Sequence, residues 1–359
     1  MINVTKSYLP PIEEYQKYLS KIWENSWLTN QGPLVTELEH QLREYLGIEN
    51  LLFVSNGTIA LQLAIKALGL KGEIITTPFS YVATTASIIW ENCTPVFADI
   101  HLENLCLNPQ KIEKLITKRT TAILATHVFG IPCDVEAIEQ VAIKYNLKVI
   151  YDGAHAFGVK YKNKSVFEYG DIATLSFHAT KLFHTVEGGA VIVKDNELLK
   201  KIRLYRSFGH IGDHHYSIGI NGKNSEFHAA MGLCNLPRVN DFIAQRKSIG
   251  NIYLSELNSL PVTFPEISGS ADYNYSYFPV FFRNVEELLK TKNYLAEHQV
   301  NTRRYFYPSL NTLPYLSSSN ACPVSEDIAK RVLCLPFYQQ LTNENVLFIC
   351  SLIKRAFML

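Results

Sequence analysis

The stretch VEAIEQVAIKYNLKVIYDGAH, Val135–His155, decides how the chain reads. Its first half, Val135–Tyr145, carries apolar residues at helical spacing, and Val149–Tyr151 is a short apolar run that ends in Asp152 and small residues. A helix feeding a wholly apolar strand is half of a βαβ unit, because a strand covered on both faces has no polar side to show. The same alternation continues outward over about residues 50–195. Leu51–Val54, Ile74–Thr77, Val96–Ala98, Ala122–Ala125, Thr174–Phe177 and Ala190–Val193 read as further buried strands, with Ile59–Leu70 and Ala83–Trp90 as helices among them. An α/β fold follows, with a mostly parallel seven-stranded sheet covered on both faces. In such sheets ligands bind beyond the carboxyl ends of the strands, so the loops after each run hold the candidate functional residues.

Beyond this region Glu197–Arg206, Glu226–Leu236 (stopped by Pro237) and Val239–Leu257 read as helices. Tyr277–Phe282 then reads as a strand, and Val285–Gln299 and Asn343–Lys354 as helices. At 359 residues two domains are expected: a large one over 1–239 and a smaller C-terminal α/β one over 240–359. A formal net charge of +1 and the lack of a basic stripe argue against nucleic-acid binding. Seven scattered cysteines without a CxxC pair read as reduced thiols, and no metal site is expected. Met1–Pro10 lacks the pattern of a signal peptide, and no apolar run reaches the ~18 residues of a membrane span. A cytoplasmic location is the expectation.

Three segments carry chemistry. Ser55-Asn56-Gly57-Thr58 follows a strand and opens a helix, where free N–H groups, a glycine and a hydroxyl suit a phosphate; a plain N-cap turn is the alternative. Asp152, at the end of a very apolar strand, can hold a heteroaromatic nitrogen protonated, or can simply cap the next turn. Lys181 closes Thr174–Lys181, just past another strand end, with Glu187-Gly188-Gly189 shortly after. A partly buried lysine loses proton affinity, as an amine must to attack a carbonyl near neutral pH. Anion cradle, carboxylate and lysine in this order are the anchors that pyridoxal phosphate needs. Of the remaining histidines, His184 reads as structural, and His210, His214 and His215 sit in a Gly-rich segment able to line a pocket. Arg303 and Arg304, followed by Tyr305-Phe306-Tyr307, suit a diphosphate and a sugar or base face, or a solvated turn over core aromatics.

On Ser55–Leu61, Asp152–Gly158 and Ser176–Ala190 above all, and from Trp27–Pro33 to Leu335-Pro336, the chain resembles the DegT/StrS-type sugar aminotransferases, which have the type I aspartate-aminotransferase fold. The resemblance implies that Gly57 and Thr58 bind the cofactor phosphate with Ser176 and that Tyr81 stacks on its ring. Asp152 pairs with the ring nitrogen, Ala154 packs on the opposite face, His155 joins the cofactor set, and Lys181 carries the cofactor covalently. Thr29, His178, Glu187, Arg303 and Tyr305 are the implied substrate residues. Relatives with histidine in place of the lysine are dehydratases, so Lys181 favours transamination. In Gly219–Glu226 the family's aromatic-rich pattern is only partly met; Asn221, with Lys223 second, is expected to reach the phosphate of a neighbouring subunit. The resemblance further implies a homodimer with shared active sites and L-glutamate as amino donor. The acceptor is expected to be a 4-keto-6-deoxyhexose on a nucleotide diphosphate, dTDP favoured, for lipopolysaccharide O-antigen synthesis. Ser176-Phe177-His178 and Glu187-Gly188-Gly189 match the 4-amino type. A 3-keto sugar aminotransferase, a dehydratase and a non-catalytic regulatory member are the alternatives.

Overall fold

The structure, a computed structural model, describes residues 1–316 and 320–358. Its centre is a sheet of seven strands: β1 Asn50–Val54, β2 Gly72–Thr76, β3 Cys93–Phe97, β4 Thr120–Thr126, β5 Lys148–Asp152, β6 Ile172–Ser176 and β7 Gly189–Val193. They lie side by side in the order β1-β7-β6-β5-β4-β2-β3. All run parallel except β7, which is antiparallel to both β1 and β6. Each expected strand is present within a few residues of its expected bounds.

Period-two alternation divides each strand between two cores. Phe53, Ile123, Val149, Tyr151 and Leu175 join one cluster with Leu38 and Leu42 of α2 (Pro33–Leu46), Ile138 of α5 (Val135–Tyr145) and Leu233 of α7 (Glu226–Asn235). Leu52, Leu124, Ile150 and Val191 face the other way. They meet Ala60 and Ala64 of α3 (Gly57–Ala67), Ile88 of α4 (Val82–Trp90) and Ile202 of α6 (Asn196–Arg206). Each buried aliphatic side chain contributes about 1.5–3 kcal/mol, so a slip of one residue in register would exchange the two cores and is strongly disfavoured.

Helices α1 (Ile12–Asn25) and α2 were not read from the sequence. In α2 Pro33 sits in the first turn and Gly47, at φ 64°, ends the helix. The free amides of Leu34 and Val35 are taken by the buried Glu226 carboxylate at 2.7 and 3.0 Å, which ties α2 to α7. As expected, α7 stops before Pro237, which lies in a 3-10 turn, Leu236–Arg238, that runs straight into α8 (Val239–Leu257). A further cluster draws together Ile249 and Tyr253 of α8, Val280 of β8 (Pro279–Phe281), Leu288 of α9 (Val285–Glu297), Leu333 of β9 (Val332–Cys334) and Ile349 of α11 (Asn343–Met358). Between α9 and β9 runs α10, Pro323–Arg331, a helix not expected from the sequence. Because β1, β2, β4, β5 and β6 are parallel, their carboxyl ends open on one edge of the sheet, and the loops that leave them converge there.

Candidate active site

At that edge lies a cavity of about 540 Å³. One end is the start of α3. The Asn56 side chain accepts from the Ile59 amide at 2.9 Å, so the helix is capped beside, not over, the first amides of the turn. Gly57 is where α3 meets the end of β6: a Cβ there would fall 2.9 Å from Ser176 Cβ, closer than real Cβ contacts come. Gly57, the exposed Thr58 and Ser176 thus form an open, N–H-rich concavity suited to an anion.

Asp152, the last residue of β5, is buried in the deepest part. Its Oδ1 accepts from the Ala154 amide at 3.1 Å and its Oδ2 from the Thr84 hydroxyl at 2.8 Å. Burial pushes the carboxyl up, and the Thr84 and Ala154 hydrogen bonds and the Lys181 charge pull it back. Behind it His127 is fully buried: its backbone N–H donates to the Asp152 carbonyl at 3.0 Å and its ring stacks on Tyr151. Burial holds the His127 ring down at about 3.

Lys181 stands on the connection from β6 to β7. Because β7 is antiparallel, this segment leaves and re-enters the sheet at the same edge. It is clipped by Phe177 N–H to Gly188 O at 2.8 Å and Thr185 N–H to Phe177 O at 2.9 Å. The lysine as a residue is half-buried because it faces the open cavity, but its amine end is enclosed, 3.3 Å from the Tyr277 hydroxyl. Desolvation lowers its proton affinity, against the opposing pull of Asp152, Tyr305 and Tyr81. His155 is buried and accepts the Phe129 amide on Nδ1 at 3.2 Å. Burial and the Lys181 charge hold it well below its usual range, so it is neutral with its proton on Nε2. Its ring lies parallel to Phe306, centroids 5.6 Å apart.

The mouth is wetter. Tyr81 precedes α4 with 54% of its surface exposed. His178 Nε2 lies 3.6 Å from Glu187 Oε1, and His178 Nδ1 is 2.8 Å from Thr180 Oγ1. The exposed Arg303 guanidinium sits 5.3 Å from the centre of the Tyr305 ring. Ala154, His178, Glu187, Arg303 and Tyr305 all line the same cavity as Asp152 and Lys181.

Two expected residues stand apart from it in the single chain. Asn221 is exposed and pairs with Ser207, although the carbonyl of adjacent Gly222 accepts from the Ser55 amide at 2.9 Å and so ties its loop to the anion end. Thr29 is exposed, its carbonyl accepting from the Trp27 indole at 2.6 Å. Arg304 turns away, to the Lys330 carbonyl and the Tyr307 ring. His184 is structural as expected, bonded to the Tyr8 carbonyl at 2.8 Å. Sequence reasoning missed Ser80, Thr84, Thr126 and Tyr277. The one signal for the hydroxyls was their density in Thr76–Thr85, which precedes and opens a helix at a strand's carboxyl end. Among the described residues no group of side chains is arranged to hold a metal ion, and no helix is long and apolar enough to cross a membrane.

A buried carboxylate, an amine of lowered basicity and an anion cradle in one cavity are the parts of a carbonyl–amine chemistry. A model of the DegT/DnrJ/EryC1/StrS aminotransferase family matches residues 11–354. The chain is 43% identical to a dTDP-4-amino-4,6-dideoxy-D-glucose transaminase of Shigella dysenteriae over 98% of both chains. It is 34% identical to a GDP-perosamine synthase of Escherichia coli O157:H7, again over 98% of both. The crystal structure of DesI in the presence of its TDP-sugar product superposes with a TM-score of 0.94 at 30% identity, covering 99% of this chain and 92% of that one.

Proposed function

The chain belongs to the DegT/DnrJ/EryC1/StrS aminotransferase family and is a pyridoxal-phosphate-dependent sugar aminotransferase; from that premise we propose its substrates and the roles of its residues. The acceptor is a 4-keto-6-deoxyhexose on a nucleoside diphosphate, dTDP-4-keto-6-deoxyglucose favoured, and L-glutamate is the amino donor. The product is a 4-amino-4,6-dideoxy sugar. The observation that carries this reading is the meeting of Lys181 and Asp152 in one cavity with the start of α3. The choice of acceptor is supported by full-length likeness to the Shigella dysenteriae transaminase.

The residues fit the cofactor. Gly57, Thr58 and Ser176 would take the phosphate, where any Cβ at 57 would crowd Ser176. Asp152 would hold the ring nitrogen, with Tyr81 and Ala154 on the two ring faces and His155 completing the set as a neutral Nε2–H donor. When bound, pyridoxal phosphate supplies the electron sink that lets a proton leave the carbon bearing nitrogen. Lys181, its amine made less basic by burial, takes that proton on Nζ and returns it. Tyr277 O–H, 3.3 Å away, orients the amine. The deep wall around Asp152 excludes water, which keeps the carboxylate's pull on a positive ring nitrogen strong. At the mouth Arg303 would meet the diphosphate, and Tyr305, His178 and Glu187 the sugar.

Further parts of the proposal are a homodimer in which Asn221 and Thr29 complete the neighbour's site, a cytoplasmic location and a place in O-antigen synthesis. The exposed side chains Ile211, Tyr216 and Ile218, on and just after a two-stranded ribbon of His210–Ile211 and His214–His215, support the first. A division into 1–239 and 240–359 is supported by the cluster that collects Ile249–Ile353. The test is an assay of the purified protein with glutamate and matched 4-keto and 3-keto dTDP-6-deoxyhexoses. The 4-keto isomer is expected to win in kcat/KM; a preference for the 3-keto isomer overturns the regiochemistry.

A further inference from the structure

Three buried hydroxyls stand in line behind Asp152. Thr126 at the end of β4, Ser80 in the loop after β2 and Thr84 in the first turn of α4 are each no more than 2% exposed. Thr126 Oγ1 lies 3.2 Å from Ser80 Oγ, Ser80 Oγ 2.8 Å from Thr84 Oγ1, and Thr84 Oγ1 2.8 Å from Asp152 Oδ2. An ionised carboxylate can only accept, so the single Thr84 proton goes to Asp152. Thr84 oxygen must then accept from Ser80, and Ser80 oxygen from Thr126. One end being an anion fixes the direction of the whole chain.

We propose that Thr126, Ser80 and Thr84 form a one-way hydroxyl relay that keeps Asp152 anionic in its dry site, which makes Ser80 and Thr84 positioning residues of the transamination. The inference rests on the reading of Asp152 as partner of the ring nitrogen. Its physical basis is that aligned hydroxyl dipoles polarise one another in a low dielectric, by about 10–30% per bond, and all three point positive toward the carboxylate. Burial favours a protonated, neutral Asp152, and the Thr84 end of the relay opposes it beside the Ala154 amide and the Lys181 charge. The helix does not satisfy buried hydroxyls by default: Thr85, beside Thr84 and as fully buried, has no partner for its Oγ1. Three separate segments (β4, the loop after β2 and α4) each contribute one hydroxyl to a chain that ends on a single carboxylate oxygen. Such convergence is hard to explain as helix capping.

The experiment reconstitutes the holoenzyme with pyridoxal phosphate labelled with ¹⁵N in the ring and reads the nitrogen shift beside kcat/KM. Thr84→Val is expected to move the ring nitrogen toward its unprotonated shift and lower kcat/KM about tenfold, the worth of one hydrogen bond to a charged group. Ser80→Ala should have about a threefold effect and Thr126→Val less, because each stands further from the charge. Thr84→Ser should restore both readouts, which a packing defect would not allow. A nitrogen shift unchanged in Thr84→Val while Asp152→Asn displaces it overturns the relay, as does an effect that fails to decline along the chain. If Asp152→Asn leaves the shift in place too, the reading of Asp152 fails, and the relay with it.

Discussion

The Asp152 carboxylate and His155 Nδ1 are each held by a backbone amide or a hydroxyl, whereas His178, Glu187 and Tyr81 stand at the mouth with about half of their surface in water and Arg303 is exposed beside them. Deep groups held from several directions can be tuned strongly, because low dielectric and fixed geometry multiply each interaction. Groups at the mouth are screened and mobile, so a change there alters little, and alters it for the substrate only. In the proposed reading the deep wall fixes the chemistry, and the mouth selects the sugar.

Removing the amine should break the contrast outright. Lys181→Ala is expected to lower turnover by at least about 10³-fold, since it deletes both the covalent anchor and the proton carrier. Rapid mixing with glutamate measures it, and a rate above a tenth of wild type would mean that the deep wall does not hold the chemistry. Asp152→Asn should come next, at about 10²–10³-fold in kcat/KM with an unchanged circular dichroism spectrum. A near-wild-type rate would reduce Asp152 to a turn cap.

The dryness of the wall can be read without substrate. The His127 ring titrates at about 3 in the fold against about 6.5 when unfolded, so below pH 6.5 the unfolded chain binds the extra proton. Stability is therefore complete above about pH 6.5 and falls toward pH 3, at up to about 1.4 kcal/mol per pH unit from this group. Denaturant melts at pH 7 and pH 5 should show that loss in the wild type and less of it in His127→Gln. A slope that His127→Gln leaves unchanged would put the loss elsewhere. The smallest effect is expected at the mouth. Exposed ion pairs contribute at most about 1 kcal/mol, so Glu187→Gln should change the sugar KM by no more than about fivefold and leave kcat alone. A large fall in kcat would move Glu187 from the mouth into the chemistry.

The same contrast governs what could be read from sequence. Buried strands announce themselves as apolar runs, and all seven were found within a few residues. Lys181, Asp152 and Gly57 follow directly on such runs, so the topology of a parallel sheet was enough to bring them together. Helix α1 was silent because Ile22 alone of its residues is fully buried. Helix α2 was legible in principle from Pro33, the four-residue spacing of Leu34, Leu38, Leu42 and Leu46, and Gly47. Ser80, Thr84 and Thr126 could not be placed, because their meeting at Asp152 depends on side-chain direction across three segments that local pattern does not encode. Tyr277 comes from nearly a hundred residues beyond the lysine it touches. The roles proposed for Thr29 and Asn221 need a second subunit, which no pattern in one chain can position.

The reversed strand β7 has a consequence for the kinetics of Lys181. A parallel strand in its place would need a crossover of a dozen or more residues back to the far edge. Instead the lysine rides residues 177–188, which return to the same edge and are clipped at Phe177–Gly188 and Phe177–Thr185, so that both ends are anchored at the site. In the role proposed for Lys181, its amine is attached at one stage of turnover and free at the next. Held on an anchored segment, the freed amine would stay inside the cavity of about 540 Å³. It therefore acts at the high effective molarity of an intramolecular reactant, on the order of 10⁵ M or more when alignment is good. A flexible insertion between Thr180 and Thr185 should dilute that concentration while leaving every contacting group in place.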